Sequence, residues 1–171
     1  GLHDENISFD RAGEILGTFA ANPGDGTLYA VWQDSRFSGG THDAIALAGS
    51  TDGGRTWSER LSVPANWATS QEVPTIFRVP DTTAGKWRLL MFSGLNPARL
   101  ASSDDEGRTW SPLAKVVDWG GIVVMGSIVP MHDGSLLAFF HDDGRYFAAG
   151  GRAEGTFRLF QVRSRDGGRT W

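Results

Sequence analysis

An eight-residue motif occurs three times in this chain, and its spacing limits what the chain can fold into. Ser50-Thr51-Asp52-Gly53-Gly54-Arg55-Thr56-Trp57 returns as Ser103-Asp104-Asp105-Glu106-Gly107-Arg108-Thr109-Trp110 and again as Ser164-Arg165-Asp166-Gly167-Gly168-Arg169-Thr170-Trp171. Ser, Asp, Gly, Arg, Thr and Trp keep register in all three copies. The tryptophans lie 53 and 61 residues apart, the length of a four-stranded β-blade with its loops. The chemistry of the motif is that of a hairpin turn. Ser and Asp side chains bond backbone N–H groups, Gly takes the positive-φ position, and Trp anchors the corner against the sheet. That role accounts for the motif aspartates without catalysis.

A looser repeat precedes each motif. Gly26-Thr27-Leu28-Tyr29-Ala30-Val31-Trp32, Gly85-Lys86-Trp87-Arg88-Leu89-Leu90-Met91-Phe92 and Gly134-Ser135-Leu136-Leu137-Ala138-Phe139-Phe140 each open on a turn glycine and run into a strand buried on both faces. First strands are expected at 15–20, 75–79 and 122–129, third strands at 44–48, 100–102 and 157–162, and fourth strands at 59–63 and 113–117. No segment combines helical periodicity with caps, so almost no helix is expected. The reading is an all-β propeller of four-stranded antiparallel blades with about three blades present: 7–66, 67–118 and 119–171, the last without its final strand. Ile7-Ser8-Phe9 is a stray strand of a neighbouring blade in this reading. Three blades do not close a ring, and open ends expose strand edges and apolar faces. A longer parent protein or pairing into a homodimer is therefore expected.

Composition removes several function classes. The charge is −4, and no two basic residues adjoin, which speaks against a nucleic-acid surface. With no cysteine there is neither a disulfide nor a thiolate metal site. No apolar run approaches the roughly 18 residues of a membrane span. Gly1-Leu2-His3-Asp4 has none of the features of a secretory signal; a secreted or periplasmic protein from which that segment has been removed is expected. His3, His42, His132 and His141 form no metal-ligand spacing, and no metal or cofactor is expected.

The three motifs resemble the Asp boxes, or BNR repeats, of the sialidase (neuraminidase) superfamily, and the resemblance spans essentially the whole chain. It implies a six-bladed propeller with the boxes on the face opposite the active site. It also implies cleavage of terminal sialic acid by an Asp acid/base, a Tyr nucleophile helped by Glu, and an arginine triad on the sugar carboxylate. A Tyr nucleophile departs from the usual two-carboxylate scheme of glycosidases. If the boxes join strands 3 and 4 at one face, the loops between strands 2 and 3 emerge at the other. The first runs from Gln33 to Asp43 and the third from His141 to Tyr146. Each places an acidic residue and an Arg after the buried strand.

By resemblance, Arg36 and Asp43 match the Arg and the acid/base Asp that follow the first blade's second strand. Asp43 would need a raised pKa beside apolar neighbours. Asp34, Glu72, Asp142, Asp143 and Arg145 are the candidate substrate-binding residues, a set suited to sialic acid or another acidic glycan because the Arg fork matches a carboxylate. Local turn closure by exposed loop charges is the competing reading for Asp43, Asp34, Asp142 and Asp143. Phe77-Arg78-Val79-Pro80 imitates the family's Phe/Tyr-Arg-Ile-Pro motif but sits too near the Gly85 turn. Counted back from that turn, Glu72 stands where the motif's Arg belongs. The expected function is a sialidase-like exo-glycosidase on terminal sialic or related acidic sugars; the alternative is a non-catalytic Asp-box propeller that binds glycan or protein.

Overall fold

The structure, a computed structural model, describes residues 14–34, 44–70, 74–93, 96–118, 123–147, 151 and 155–171. Within them the chain forms three antiparallel sheets. Blade 1 contains β1 (Glu14–Ala21), β2 (Leu28–Asp34) and β3 (Ile45–Ser50). Blade 2 contains β4 (Thr75–Asp81), β5 (Lys86–Ser93), β6 (Arg99–Ser103) and β7 (Ala114–Lys115). Blade 3 contains β8 (Val123–Pro130), β9 (Leu136–Asp142) and β10 (Arg158–Ser164). Helix is confined, among the described residues, to one 3₁₀ segment, Ala65–Thr69, between blades 1 and 2.

The blades repeat in register. Leu28, Leu89 and Leu136 lie opposite the box serines Ser50, Ser103 and Ser164. Tyr29, Leu90 and Leu137 are thus equivalent, as are Asp34 and Asp142. The inner strands of blades 1 and 2 are tied by Thr18, whose Oγ1 accepts the Ile76 N–H at 2.8 Å.

The expected fourth strands are reduced. Residues 59–63 carry no ladder, although Ser58 and Leu61 donate backbone N–H bonds to Gly49 and Leu47, both at 2.8 Å. In blade 2 the ladder covers only Ala114–Lys115. The cause is local. Ser58 Oγ accepts the Gly49 N–H and Ser111 Oγ the Ser102 N–H, so a side chain takes the ladder donor of the third strand.

Two apolar layers hold the blades together. Tyr29, Val31, Ile45 and Leu47 of blade 1 meet Trp67 of the 3₁₀ segment and Ile76, Leu89 and Met91 of blade 2. Leu90, Phe92 and Ala98 of blade 2 meet Leu136 and Ala138 of blade 3. A third cluster, Ala30, Trp32, Ala46, Ala48 and Trp57, lies within blade 1. Trp67 is fully buried; its Nε1 donates to the Ser111 carbonyl at 3.3 Å and its ring meets Trp110 edge-on at 5.4 Å.

Each motif is a self-contained turn. Ser50, Ser103 and Ser164 accept the N–H of Gly54, Gly107 and Gly168 at 2.8–2.9 Å and donate to Asp52, Asp105 and Asp166. Each aspartate then accepts the N–H and the hydroxyl of Thr56, Thr109 or Thr170. The two residues after each aspartate are left-handed, which explains the Gly-Gly of boxes 1 and 3. Box 2 has Glu106 there at φ 58, and its carboxylate takes a bidentate pair from Arg78 at 2.7 and 3.0 Å.

Candidate functional site

The boxes and the turns between strands 1 and 2 share one end of the blades. The opposite end is formed by the C-termini of β2, β5 and β9 and the N-termini of β3, β6 and β10, where the loops between strands 2 and 3 emerge. Asp34, Asp142, Asp143 and Arg145 lie at this end. Asp43, Arg36 and Glu72 fall outside the described residues.

Asp34 and Asp142 close their second strands at equivalent positions and are buried, at 0 and 1 % exposure. They were expected in exposed loops. The buried strands run further than the sequence suggested because the ladder continues opposite: Asp142 pairs with Arg158, and the Asp34 N–H donates to the Ala44 carbonyl at 2.7 Å. Asp142 turns the chain locally. Its Oδ2 accepts the N–H of Gly144 at 2.8 Å and of Tyr146 at 3.3 Å, whereas its buried Oδ1 has no partner among the described residues.

Asp143 faces Arg145, which donates from Nε at 3.1 and 3.2 Å and from Nη2 at 3.0 Å. That guanidinium holds the Asp143 carboxyl below the ordinary carboxylate range, with backbone bonding adding to the effect against the opposing influence of burial. Asp143 is therefore an anion near neutrality and an acceptor, and is no proton donor. Arg145, about half exposed, keeps an outward side for a ligand. Beside it Phe147 stacks on Phe160 at 4.5 Å, and Phe160 on Phe140 at 5.3 Å, with Phe147 partly exposed.

Sequence reading missed the middle blade's contribution. Arg99, at the start of β6, donates to the Thr69 carbonyl at 2.7 Å and to its hydroxyl at 2.9 Å. Ser70 and Ser93, both buried, share a hydrogen bond between their hydroxyls. The only signal was the lower charge of the 93–99 stretch, which gives no hint of these contacts. Arg78 belongs to the other end: it binds Glu106 of box 2 and lies 4.3 Å over the Trp87 ring. A groove of about 270 Å³ lined by Arg88, Lys115 and Arg169 is likewise at the box side. Among the described residues no cluster of His, Asp and Glu is arranged to hold a metal.

Three stacked meanders with boxes at one end and acidic loops at the other can be compared directly with solved structures. No family model and no curated protein sequence matches the chain. An α-L-arabinofuranosidase from Fusarium graminearum, solved with an iminosugar inhibitor, superposes with a TM-score of 0.61 at 15 % identity, over 90 % of this chain and 46 % of that one. A protein of unknown function from Dyadobacter fermentans gives a TM-score of 0.59 at 17 % identity, over 96 and 51 %. The intramolecular trans-sialidase from Ruminococcus gnavus, solved with oseltamivir carboxylate, gives 0.50 at 25 % identity, over 74 and 25 %.

The fold is sialidase-like. This chain spans about half the length of the first two of these structures and a quarter of the trans-sialidase. These likenesses show the fold and select no reaction.

Proposed function

We propose that this chain is part of a sialidase-like exo-glycosidase acting on terminal sialic or related acidic sugars, engaged at the end of the blades opposite the boxes. The observation that carries the reading is the pair of buried carboxylates Asp34 and Asp142 at equivalent strand ends of a sialidase-like fold, the second beside the Asp143–Arg145 pair. In this reading Arg145 and Arg36 orient the sugar carboxylate, and Asp34, Glu72, Asp142 and Asp143 accept from hydroxyls or fix the arginines. Asp43 is the general acid/base, donating a proton to the leaving oxygen and later receiving one from water. The protein is secreted or periplasmic in the same reading.

A second reading is favoured by one observation. The Asp143–Arg145 pair is satisfied internally and Asp142 is bonded to its own turn, as in a surface that binds glycan without cleaving it. Hydrolysis of a fluorogenic sialic acid glycoside separates the two. Release of fluorophore that is lost in Asp43→Ala supports the glycosidase. Saturable glycan binding without release by the folded chain supports the binding surface.

A further inference from the structure

Three phenylalanines at the acidic end of blade 3 are not required by the blade repeat. The position that pairs Phe140 with Phe160 in blade 3 pairs Trp32 with Ala46 in blade 1 and Ser93 with Arg99 in blade 2. Blade 3 meets blade 2 through Leu136, Ala138, Ile128 and Val162, and among the described residues Phe140, Phe147 and Phe160 are not part of that layer. Phe147 instead lies against Phe160 at 4.5 Å and 25°, and against Phe140 at 5.9 Å. Phe140 is 3 % exposed and anchors the group, whereas Phe147 is 42 % exposed. One face of the Phe147 ring is therefore packed and the other is turned outward.

The turn that presents this ring is set before any ligand arrives, because Asp142 holds the N–H groups of Gly144 and Tyr146. Arg145, two residues before Phe147, is held along one edge of its fork. Its Nε and Nη2 donate to Asp143, while Nη1 has no partner among the described residues. The end of the fork, Nη1 with the second hydrogen of Nη2, is left as a pair of parallel donors on a side chain about half exposed. Residues two apart in the chain have Cα atoms within about 7 Å, a span that one sugar ring and a carboxylate on it can bridge.

We infer that Phe147 and the open end of Arg145 form one sugar subsite, in which the C–H face of a pyranose lies on the outward face of Phe147 and a carboxylate borne on the same ring takes the Nη1–Nη2 edge. The inference rests on the reading of this end as the place where an acidic sugar is engaged. It adds a substrate-binding residue, Phe147, and a class of acid: sugars whose carboxylate is attached to a ring carbon. Asp143 already offsets much of the Arg145 charge, so an anion without a ring gains little here, and ring and carboxylate contribute together.

The test is calorimetric titration of the folded chain with the methyl α-glycoside of sialic acid and with its methyl ester, which keeps the ring and lacks the charge. Proton NMR of the sugar is recorded alongside, and far-UV melting confirms that each variant folds. The acid should bind at least about tenfold more tightly than the ester, and its ring protons should move upfield on binding, as protons over an aromatic face do. Phe147→Leu should weaken acid and ester alike, by about threefold to tenfold, and Phe147→Tyr should keep wild-type affinity. Arg145→Lys should weaken the acid alone and remove its advantage over the ester. Acid binding that Phe147→Leu leaves unchanged, or ring protons that do not move, overturns the subsite and leaves the acidic-sugar reading standing. A folded wild type that binds neither probe overturns both.

Discussion

Gly168 sits at φ 84 with a Leu90 methyl where its β-carbon would be, and Gly26 sits at φ 78 in open space. The contrast separates two costs that sequence alone merges. Gly26→Ala should lose about 1 kcal/mol through backbone strain only. Gly168→Ala adds overpacking between blades and should lose about 2–4 kcal/mol in urea unfolding. Equal losses would show that the blades are not seated on the box glycines.

Acid sensitivity belongs to the same scale. The Thr56 hydroxyl and N–H hold Asp52 well below the ordinary carboxylate range, and Arg169 does the same for Asp81. At Asp105 and Asp166 burial pushes upward, but the Thr109 and Thr170 bonds outweigh it. A carboxyl whose folded pKa is depressed contributes stability that is present above its unfolded value of about 4 and is lost as pH falls through the folded value. The melting temperature should be flat between about pH 5 and 7 and fall below about pH 4. Asp81→Asn should lower it at neutral pH and make the acid fall shallower, and an unchanged slope would exclude Asp81 as a contributor.

Among the elements, the 3₁₀ segment Ala65–Thr69 has the largest leverage for its length. Asn66 exchanges two hydrogen bonds with the Leu113 backbone at 2.8 and 3.0 Å, and Trp67 fills the layer between blades 1 and 2. Trp67→Ala should cost about 3–5 kcal/mol. A loss below about 1 kcal/mol would mean that this layer is not what joins the blades.

The looser turn-glycine repeat made the second strands legible and the box repeat the three-blade order, because Gly, Asp and Trp at fixed spacing specify a turn whatever the rest of the fold does. The fourth strands read poorly. Ser58 and Ser111 look like ordinary strand-edge residues in sequence, yet their hydroxyls intercept the ladder. Asp34 and Asp142 read as loop charges because burial of a carboxylate at a strand end depends on what surrounds it in space. Arg88 falls in a segment that reads as a strand buried on both faces, but its partners do not show in sequence; it binds Asp104 at 2.7 Å and the Gly167 carbonyl of box 3 at 3.0 Å, contacts set by stacking of the blades.

For the whole molecule, the two ends of the blades divide the work. The box end is a set of closed hydrogen-bond circuits that also seat one blade on the next. The opposite end carries buried carboxylates, the exposed Arg145 and a partly exposed phenylalanine stack. The measurement that tests this division most directly is an amide NMR titration of the folded chain with a sialic acid glycoside. The expected result is saturable shifts at Asp34, Arg99, Asp142 and Arg145, with Asp52, Asp105 and Asp166 unmoved. Shifts centred on the boxes, or none at any residue up to saturating sugar, would contradict the account.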